Sequence, residues 1–303
     1  MAQIMGVLNV TPDSFSDGGS YLDVEAAVAR AQIMVDEGAS VIDVGGESTR
    51  PSATEVDPAT EIERVVPVIT ALAANFAGSD VRISIDTRNE ETAHRALGAG
   101  ASILNDVSAS IGAVAADHGA GWVCMHMRGT PATMQDNPQY ESVVDEVLEY
   151  LTAAAESARQ AGVEEIWIDP GIGFGKSHED NLKLLGNIDK LVDSGWPVVL
   201  GVSRKRSLGL VTAASDRAAE LRIGSRMQDP SRPTLEDGRE AASMVPPDDR
   251  LEAGLAAAGW AIAHGVQIIR THDVAPTARL IAAHHDLRLT PLSPAFATAG
   301  NLS

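Results

Sequence analysis

Basic residues are scarce in this 303-residue chain: 23 Lys and Arg stand against 42 Asp and Glu, a formal charge of −19 at pH 7. That balance opposes binding to nucleic acid or to an anionic membrane surface, so an anionic ligand must be met by a local cluster of cations. Cysteine is rarer still. The single Cys124 excludes an internal disulfide framework and any Cys-x-x-Cys metal or redox site, and it reads as a small buried apolar residue. No apolar run approaches the roughly 18 residues of a membrane span, and Met1 leads into a strand with no signal-type segment before it. A cytoplasmic protein is expected. The usual nucleophile motifs, G-x-S-x-G and H-E-x-x-H, are absent, and no G-x-G-x-x-G follows the first strand. A 44% hydrophobic share is nevertheless enough for a sizeable core.

What the chain does have is gathered around Ile166-Trp167-Ile168-Asp169-Pro170-Gly171-Ile172-Gly173-Phe174-Gly175-Lys176-Ser177. The β-branched and aromatic start reads as a buried strand ended by Asp-Pro, because proline cannot continue a ladder. A carboxylate therefore sits at the carboxyl end of a strand. Gly171, Gly173 and Gly175 then remove side chains where a flat ligand or another backbone comes close. Gly175-Lys176-Ser177 would end a phosphate-binding P-loop, but the glycine that motif needs five residues earlier is Pro170.

The rest of the chain alternates. Strands are expected at 3–8, 40–44, 81–85, 101–104, 121–126, 165–168, 197–202 and 266–269, separated by segments with apolar residues at helical spacing, such as Val24, Ala27, Val28, Ala31 and Val35. Asp23 is expected to cap that first helix and Gly38 to end it, while Asp57-Pro58 opens the second. Eight such pairs joined by right-handed crossovers predict a single-domain (β/α)8 TIM barrel over residues 1–288, the alternative being an open doubly wound sheet. Residues 211–250, with four prolines and many charges, are expected as an inserted excursion between strand seven and the following helix, containing some helix around 217–224, and 289–303 as a disordered tail.

In a barrel, residues just past the carboxyl ends of the strands converge on one mouth. Here they are Asn9 after strand one; Glu47, Thr49 and Arg50 after strand two; and Asp86 after strand three. Asn105 and Asp106 follow strand four, Met125 and His126 close strand five, and Asp169 closes strand six. Ser203, Arg204, Lys205 and Arg206 follow strand seven, and Arg270, Thr271, His272 and Asp273 follow strand eight. Asp86, Asn105 and Asp169 suit a planar heterocycle with an amidine-like edge, whose parallel N–H groups a carboxylate accepts. Lys205, Arg270 and His272, with Arg50, suit a phosphate or diphosphate. Carboxylates and amide are expected on one side of the mouth and cations on the other. Asn9 could lend one neutral carbonyl to Mg²⁺, with phosphate oxygens supplying the rest of the shell. Such a set favours departure of a phosphorylated leaving group over covalent catalysis.

These loops resemble, in order, those of the dihydropteroate synthase family of folate biosynthesis. The segments that carry the resemblance are residues 5–19, Gly45-Gly46-Glu47-Ser48-Thr49-Arg50-Pro51, Ile85-Asp86-Thr87, Asn105-Asp106-Val107, Met125-His126-Met127, residues 169–176, Ser203-Arg204-Lys205 and Arg270-Thr271-His272-Asp273-Val274. The resemblance implies a transferase that joins 6-hydroxymethyl-7,8-dihydropterin diphosphate to 4-aminobenzoate with loss of pyrophosphate, on a TIM barrel that is usually a homodimer. It implies Asp86, Asn105, Asp169 and Lys205, with Met125, for the pterin pocket. Asn9, Arg270, Thr271 and His272 would serve the diphosphate and Mg²⁺, and Thr49, Arg50, Phe174 and Ser203 the aminobenzoate. Lys205, Asp86, Asp169, Arg270 and His272 are the residues it implies for catalysis. Ser207 and Ser52 depart from the family pattern, where a bulky apolar residue and a glycine are usual, and are expected to loosen the aminobenzoate side. Two other readings share the pterin-holding residues: a catalytically inactive pterin-binding paralogue, and a methyltetrahydrofolate-binding methyltransferase barrel. The latter has no use for Ser-Arg-Lys and Arg-x-His as a diphosphate site.

Overall fold

The computed structural model describes the chain apart from residues 12–18, 48–55, 131, 132, 135, 226–245, 247–249 and 290–303, with backbone alone at 19–23, 217–225, 288 and 289. Eight short strands alternate with helices: β1 Gln3–Asn9, α1 Gly19–Asp36, β2 Val41–Gly45, α2 Pro58–Asn75, β3 Arg82–Asp86, α3 Glu90–Gly98, β4 Ile103–Asp106 and α4 Gly112–His118. There follow β5 Gly121–Met125, α5 Val143–Gln160, β6 Ile166–Asp169, α6 His178–Gly186, α7 Ile188–Val192, β7 Val199–Gly201, α8 Arg206–Ser225, α9 Leu251–Ala263, β8 Ile268–Thr271 and α10 Val274–Leu289. All pairings are parallel, in the order β6-β5-β4-β3-β2-β1-β8-β7. A bridge between Ile168 and Val198 joins the two ends and closes the barrel.

Local chemistry fixes several element ends. Asp57 caps α2 by accepting the Thr60 N–H at 3.0 Å, with Pro58 at the first helical position, as expected. Ser177 and Asp180 form a reciprocal capping box on α6. Asp23 does not cap α1, because that helix begins at Gly19 and Asp23 lies inside it. The expected excursion at 211–250 also starts too early: 211–225 continue α8, and nearly all the remainder lies outside the described residues, as does the tail from 290.

Two apolar layers hold the barrel. Helix faces pack on the outside of the sheet through a large buried cluster that includes Met34, Ile42, Ile69, Ile85, Leu104 and Leu151. Inside the barrel a smaller layer of Met5, Val41, Ile103, Val123, Trp167, Val199 and Ile268 fills the bore, so the centre is packed and not a pore. Among the described residues no helix is long and apolar enough to cross a membrane.

Candidate active site

Pleating puts every second residue of a strand on one face. Two residues beyond each member of the bore-filling layer therefore lies a side chain facing the same interior, one level nearer the strands' carboxyl ends. From Val41, Ile103, Val123, Trp167, Val199 and Ile268 that step leads to Asp43, Asn105, Met125, Asp169, Gly201 and Arg270. The bore changes from apolar to mostly polar in a single level. Asp86, Asn105, Met125, Asp169, Phe174, Lys205 and Arg270 line one cavity there, part of it open to solvent. Asp169 and Arg270, 101 positions apart in sequence, thus share one mouth.

Charges in the mouth are interleaved, not divided into two sides as expected. Because β8 lies next to β1, Arg270 reaches across to β2 and β3: its Nε donates to Asp43 Oδ2 at 2.7 Å and its Nη2 to Asp86 Oδ2 at 2.6 Å. Asn105 Nδ2 donates to the same Asp43 oxygen at 3.0 Å. Burial works against the Arg270 charge, but Asp43 and Asp86 more than offset it and raise its pKa. Burial pushes Asp86 up to about 7 despite the opposing pull of Arg270. Asp86 Oδ1 is buried with no hydrogen-bond partner among the described residues, an acceptor that a ligand donor can satisfy.

Lys205 stands with its Nζ 4.2 Å from the centre of the Phe174 ring, a cation–π contact, and burial lowers its pKa to about 8. Burial also raises Asp169, whose Oδ1 accepts the Gly171 N–H at 2.7 Å. The glycine-rich loop is explained mainly by a neighbouring backbone: a Cβ on Gly171 would overlap the His126 carbonyl, and one on Gly175 the Arg128 carbonyl. Both glycines have φ near +60°. Gly173 instead adjoins Lys205.

Beside the cavity, Ser203 Oγ accepts the His272 backbone N–H at 3.2 Å, donates to Asp273 Oδ2 at 3.2 Å and lies 3.1 Å from His272 Nδ1. The single hydroxyl proton goes to Asp273, which Arg204 and Ser203 hold below the usual carboxylate range although burial opposes them. His272 Nδ1 must then carry its own proton toward Ser203, leaving Nε2 as a bare acceptor. Burial, then repulsion from Arg270 and Arg204, lowers the His272 pKa to about 3, so the ring is neutral.

Other expected residues divide as follows. Asn9 ends β1, with its Oδ1 and Asp86 Oδ2 both flanking Gly45. Thr271 alternates with Arg270 along β8 and so faces outward, where its hydroxyl accepts the Asp273 N–H and a bond from Thr277; its side chain is not on the cavity, contrary to expectation. Thr49, Arg50 and Ser52 lie outside the described residues. Ser207 is buried in the first turn of α8. Sequence reasoning missed Asp43, although a carboxylate inside an otherwise apolar strand, Val41-Ile42-Asp43-Val44-Gly45, requires a buried partner. Glu61, in the first turn of α2, is likewise fully buried and accepts from Thr87, Asn89 and Thr92 behind the end of β3.

Among the described residues no cluster of three or more His, Cys, Asp or Glu side chains could hold a metal alone. Asn9 offers one neutral oxygen at the mouth, which suits a cation whose other ligands come from a diphosphate and water.

A family model described as pterin binding enzyme matches residues 5–272. The dihydropteroate synthase of Streptococcus pyogenes serotype M6 is 41% identical over 288 residues, covering 93% of this chain and 94% of that protein. Among solved structures, Xanthomonas albilineans dihydropteroate synthase with 4-aminobenzoic acid superposes with a TM-score of 0.79 at 37% identity, covering 96% of this chain and 94% of the other. The same enzyme in complex with 7,8-dihydropteroate gives a TM-score of 0.76 at 34% identity, covering 96% and 95%.

Proposed function

The chain belongs to the dihydropteroate synthases, a family of pterin-binding transferases, and from that premise we propose how its residues divide the reaction. The enzyme condenses 6-hydroxymethyl-7,8-dihydropterin diphosphate with 4-aminobenzoate, giving 7,8-dihydropteroate and pyrophosphate. Asp86, Asn105 and Asp169, with Met125 beside them, receive the pterin, whose amidine-like N–H groups satisfy the free Asp86 oxygen. Lys205 covers the pterin from the Phe174 side. Arg270 and Asn9 receive the diphosphate, with His272 beside them donating from Nε2 once the anion's charge has brought a proton there, and Thr49, Arg50, Phe174 and Ser203 receive the aminobenzoate. Asn9, together with phosphate oxygens, would hold Mg²⁺, which would supply neutralisation of the leaving-group charge.

In the chemical step the bond between the pterin methylene carbon and the diphosphate oxygen breaks first, and its electron pair leaves with pyrophosphate. Positive charge develops on the methylene, where the carboxylates of Asp86 and Asp169 stabilise it in a water-poor setting. The neutral arylamine nitrogen then forms the new C–N bond and loses a proton to solvent or to the departing pyrophosphate. No strong general base is needed, which agrees with a site whose imidazole, His272, is neutral until the anion binds and is fixed by Ser203. Residues 1–288 would form one catalytic domain, working as a cytoplasmic homodimer.

One observation carries this reading: the free acceptor of Asp86, Asn105, Asp169, Lys205 and Arg270 face a single cavity. The test is pyrophosphate release from purified protein supplied with the pterin diphosphate, 4-aminobenzoate and Mg²⁺. Turnover that needs both substrates and stops on chelation supports it. Pterin binding without pyrophosphate release would point instead to a binding protein.

A further inference from the structure

Lys176 lies outside the chemistry just described, yet it is one of the most deeply buried charges in the protein, with 2% of its surface exposed. Its Nζ donates to three backbone carbonyls, those of Phe174 at 2.9 Å, Gly171 at 3.0 Å and His126 at 3.1 Å. Three carbonyls can only accept, so together they use all three protons of an ammonium. A fourth neighbour, His126 Nδ1 at 2.9 Å, must then present its lone pair, in keeping with a ring whose pKa burial and Lys176 lower to about 3. Burial lowers the Lys176 pKa itself to about 7, which leaves the cation dependent on those carbonyls.

The three carbonyls are not equivalent to ordinary loop contacts. The residue whose C=O is held by Lys176, Gly171, is the residue whose N–H is held by Asp169 Oδ1 at 2.7 Å. Lys176 therefore fixes one end of Gly171 and Asp169 the other. Gly171 cannot shift toward the strand-five loop, because its Cα already abuts the His126 carbonyl, which Lys176 also holds. The Phe174 carbonyl sits on the same ammonium, and the Phe174 ring packs against Lys205.

We propose that Lys176 is a positioning residue for the pterin pocket: by holding the carbonyls of Gly171, Phe174 and His126 it sets the orientation of Asp169 and of the Phe174 ring around Lys205. The proposal rests on the pterin reading of the cavity. A displaced Asp169 carboxylate weakens substrate alignment, and misplacement of about 1 Å can cost on the order of 100-fold in rate. A second consequence is electrostatic. The groups facing Asp169 are Lys176 in its own loop, Lys205 ahead of α8, Arg270 on β8 and the Cys124 thiol on β5. All three cations favour its ionised form, and removing Lys176 lets burial raise its pKa further.

The experiment compares wild-type protein with Lys176→Met, an uncharged side chain of similar length, and with Lys176→Gln, whose amide still donates two hydrogen bonds. Folding is checked by circular dichroism, pterin diphosphate binding by direct titration, and kcat/KM by pyrophosphate release across pH. We expect Lys176→Met to lose about 10–100-fold in kcat/KM for the pterin diphosphate. Its acid limb should move to higher pH, with Lys176→Gln intermediate. Unaltered kinetics in a folded variant overturns the proposal, as does a uniform loss with an unmoved pH profile, which marks a packing role only. Failure of both variants to fold also overturns it, because Lys176 is then a residue of the scaffold. If wild-type protein itself releases no pyrophosphate, the functional reading fails, and direct pterin titration still decides whether Lys176 sets the pocket.

Discussion

Asp43 offers the sharpest test of how the mouth is built, because one of its oxygens serves two site residues. Asp43 is fully buried, and Oδ2 accepts from Arg270 Nε at 2.7 Å and from Asn105 Nδ2 at 3.0 Å. Asp43→Ala removes both bonds. Arg270 keeps Asp86, so it is not left wholly unpaired, and the full cost of about 3–5 kcal/mol for breaking a buried ion pair is an upper bound. Asn105 loses its acceptor while 4% exposed, and an unsatisfied buried amide costs about 1–3 kcal/mol. Relief of the desolvation of Asp43 itself offsets part of this. A net loss of about 2–4 kcal/mol follows, seen as a fall of about 3–6 °C in Tm. Asp43→Asn, which keeps the shape and an acceptor but not the charge, should lose about half as much stability and still misdirect Arg270, lowering kcat/KM about 100-fold. Denaturant melts and pyrophosphate-release kinetics on the two variants provide the measurement. Wild-type stability and kinetics in Asp43→Ala would refute the idea that this carboxylate aims Arg270 and Asn105.

Lys205 carries its charge below a pKa of about 8 and loses it above, so kcat/KM for the pterin diphosphate should fall as pH rises through about 8. Lys205→Arg, which stays charged, should abolish that basic limb, whereas Lys205→Ala should weaken pterin binding at every pH without loss of fold. Gly171→Ala puts a Cβ onto the His126 carbonyl at a φ of +65° and should destabilise the protein by at least about 2 kcal/mol in a denaturant melt, with turnover falling in parallel. Asn9→Ala should raise several-fold the Mg²⁺ concentration that half-saturates turnover while leaving Tm unchanged, and an identical Mg²⁺ dependence would remove Asn9 from the cation's shell.

The barrel and most of its mouth were legible because both depend on period and position along the chain. Alternating strand and helix patterns located eight strands to within about two residues, and the residues just beyond them include Asp86, Asn105, Asp169, Lys205 and Arg270. Strand phase was less legible. Thr271 follows Arg270 directly and was counted with it, yet the pleat sends the two side chains to opposite faces. Applying the same period-2 rule one level deeper would have found Asp43, which sits two residues past the bore-filling Val41. Lys176 was beyond such rules. Its role depends on three carbonyls from two loops, and backbone carbonyls leave no trace in residue identity. The helix expected around 217–224 proved to be the end of α8, which runs unbroken from Arg206 because no Pro interrupts residues 206–225.

The chain's acidity and its anionic substrate can be reconciled at the scale of the mouth. Surface carboxylates beyond about 8 Å are screened at physiological salt, so the field a ligand meets is set by the groups lining the cavity. There Asp86 and Asp169 face Arg270 and Lys205, with Asp43 fully buried against Arg270, and burial keeps the Asp86 carboxyl near 7, close to sharing a proton at neutral pH. The two cations are committed differently: Arg270 is tied to two carboxylates at 2.7 and 2.6 Å, while Lys205 rests on an aromatic ring. On the proposed reading the pterin edge takes the free Oδ1 of Asp86 while Arg270 keeps Oδ2, so one hydrogen-bonded unit of acid and cation meets both halves of the substrate.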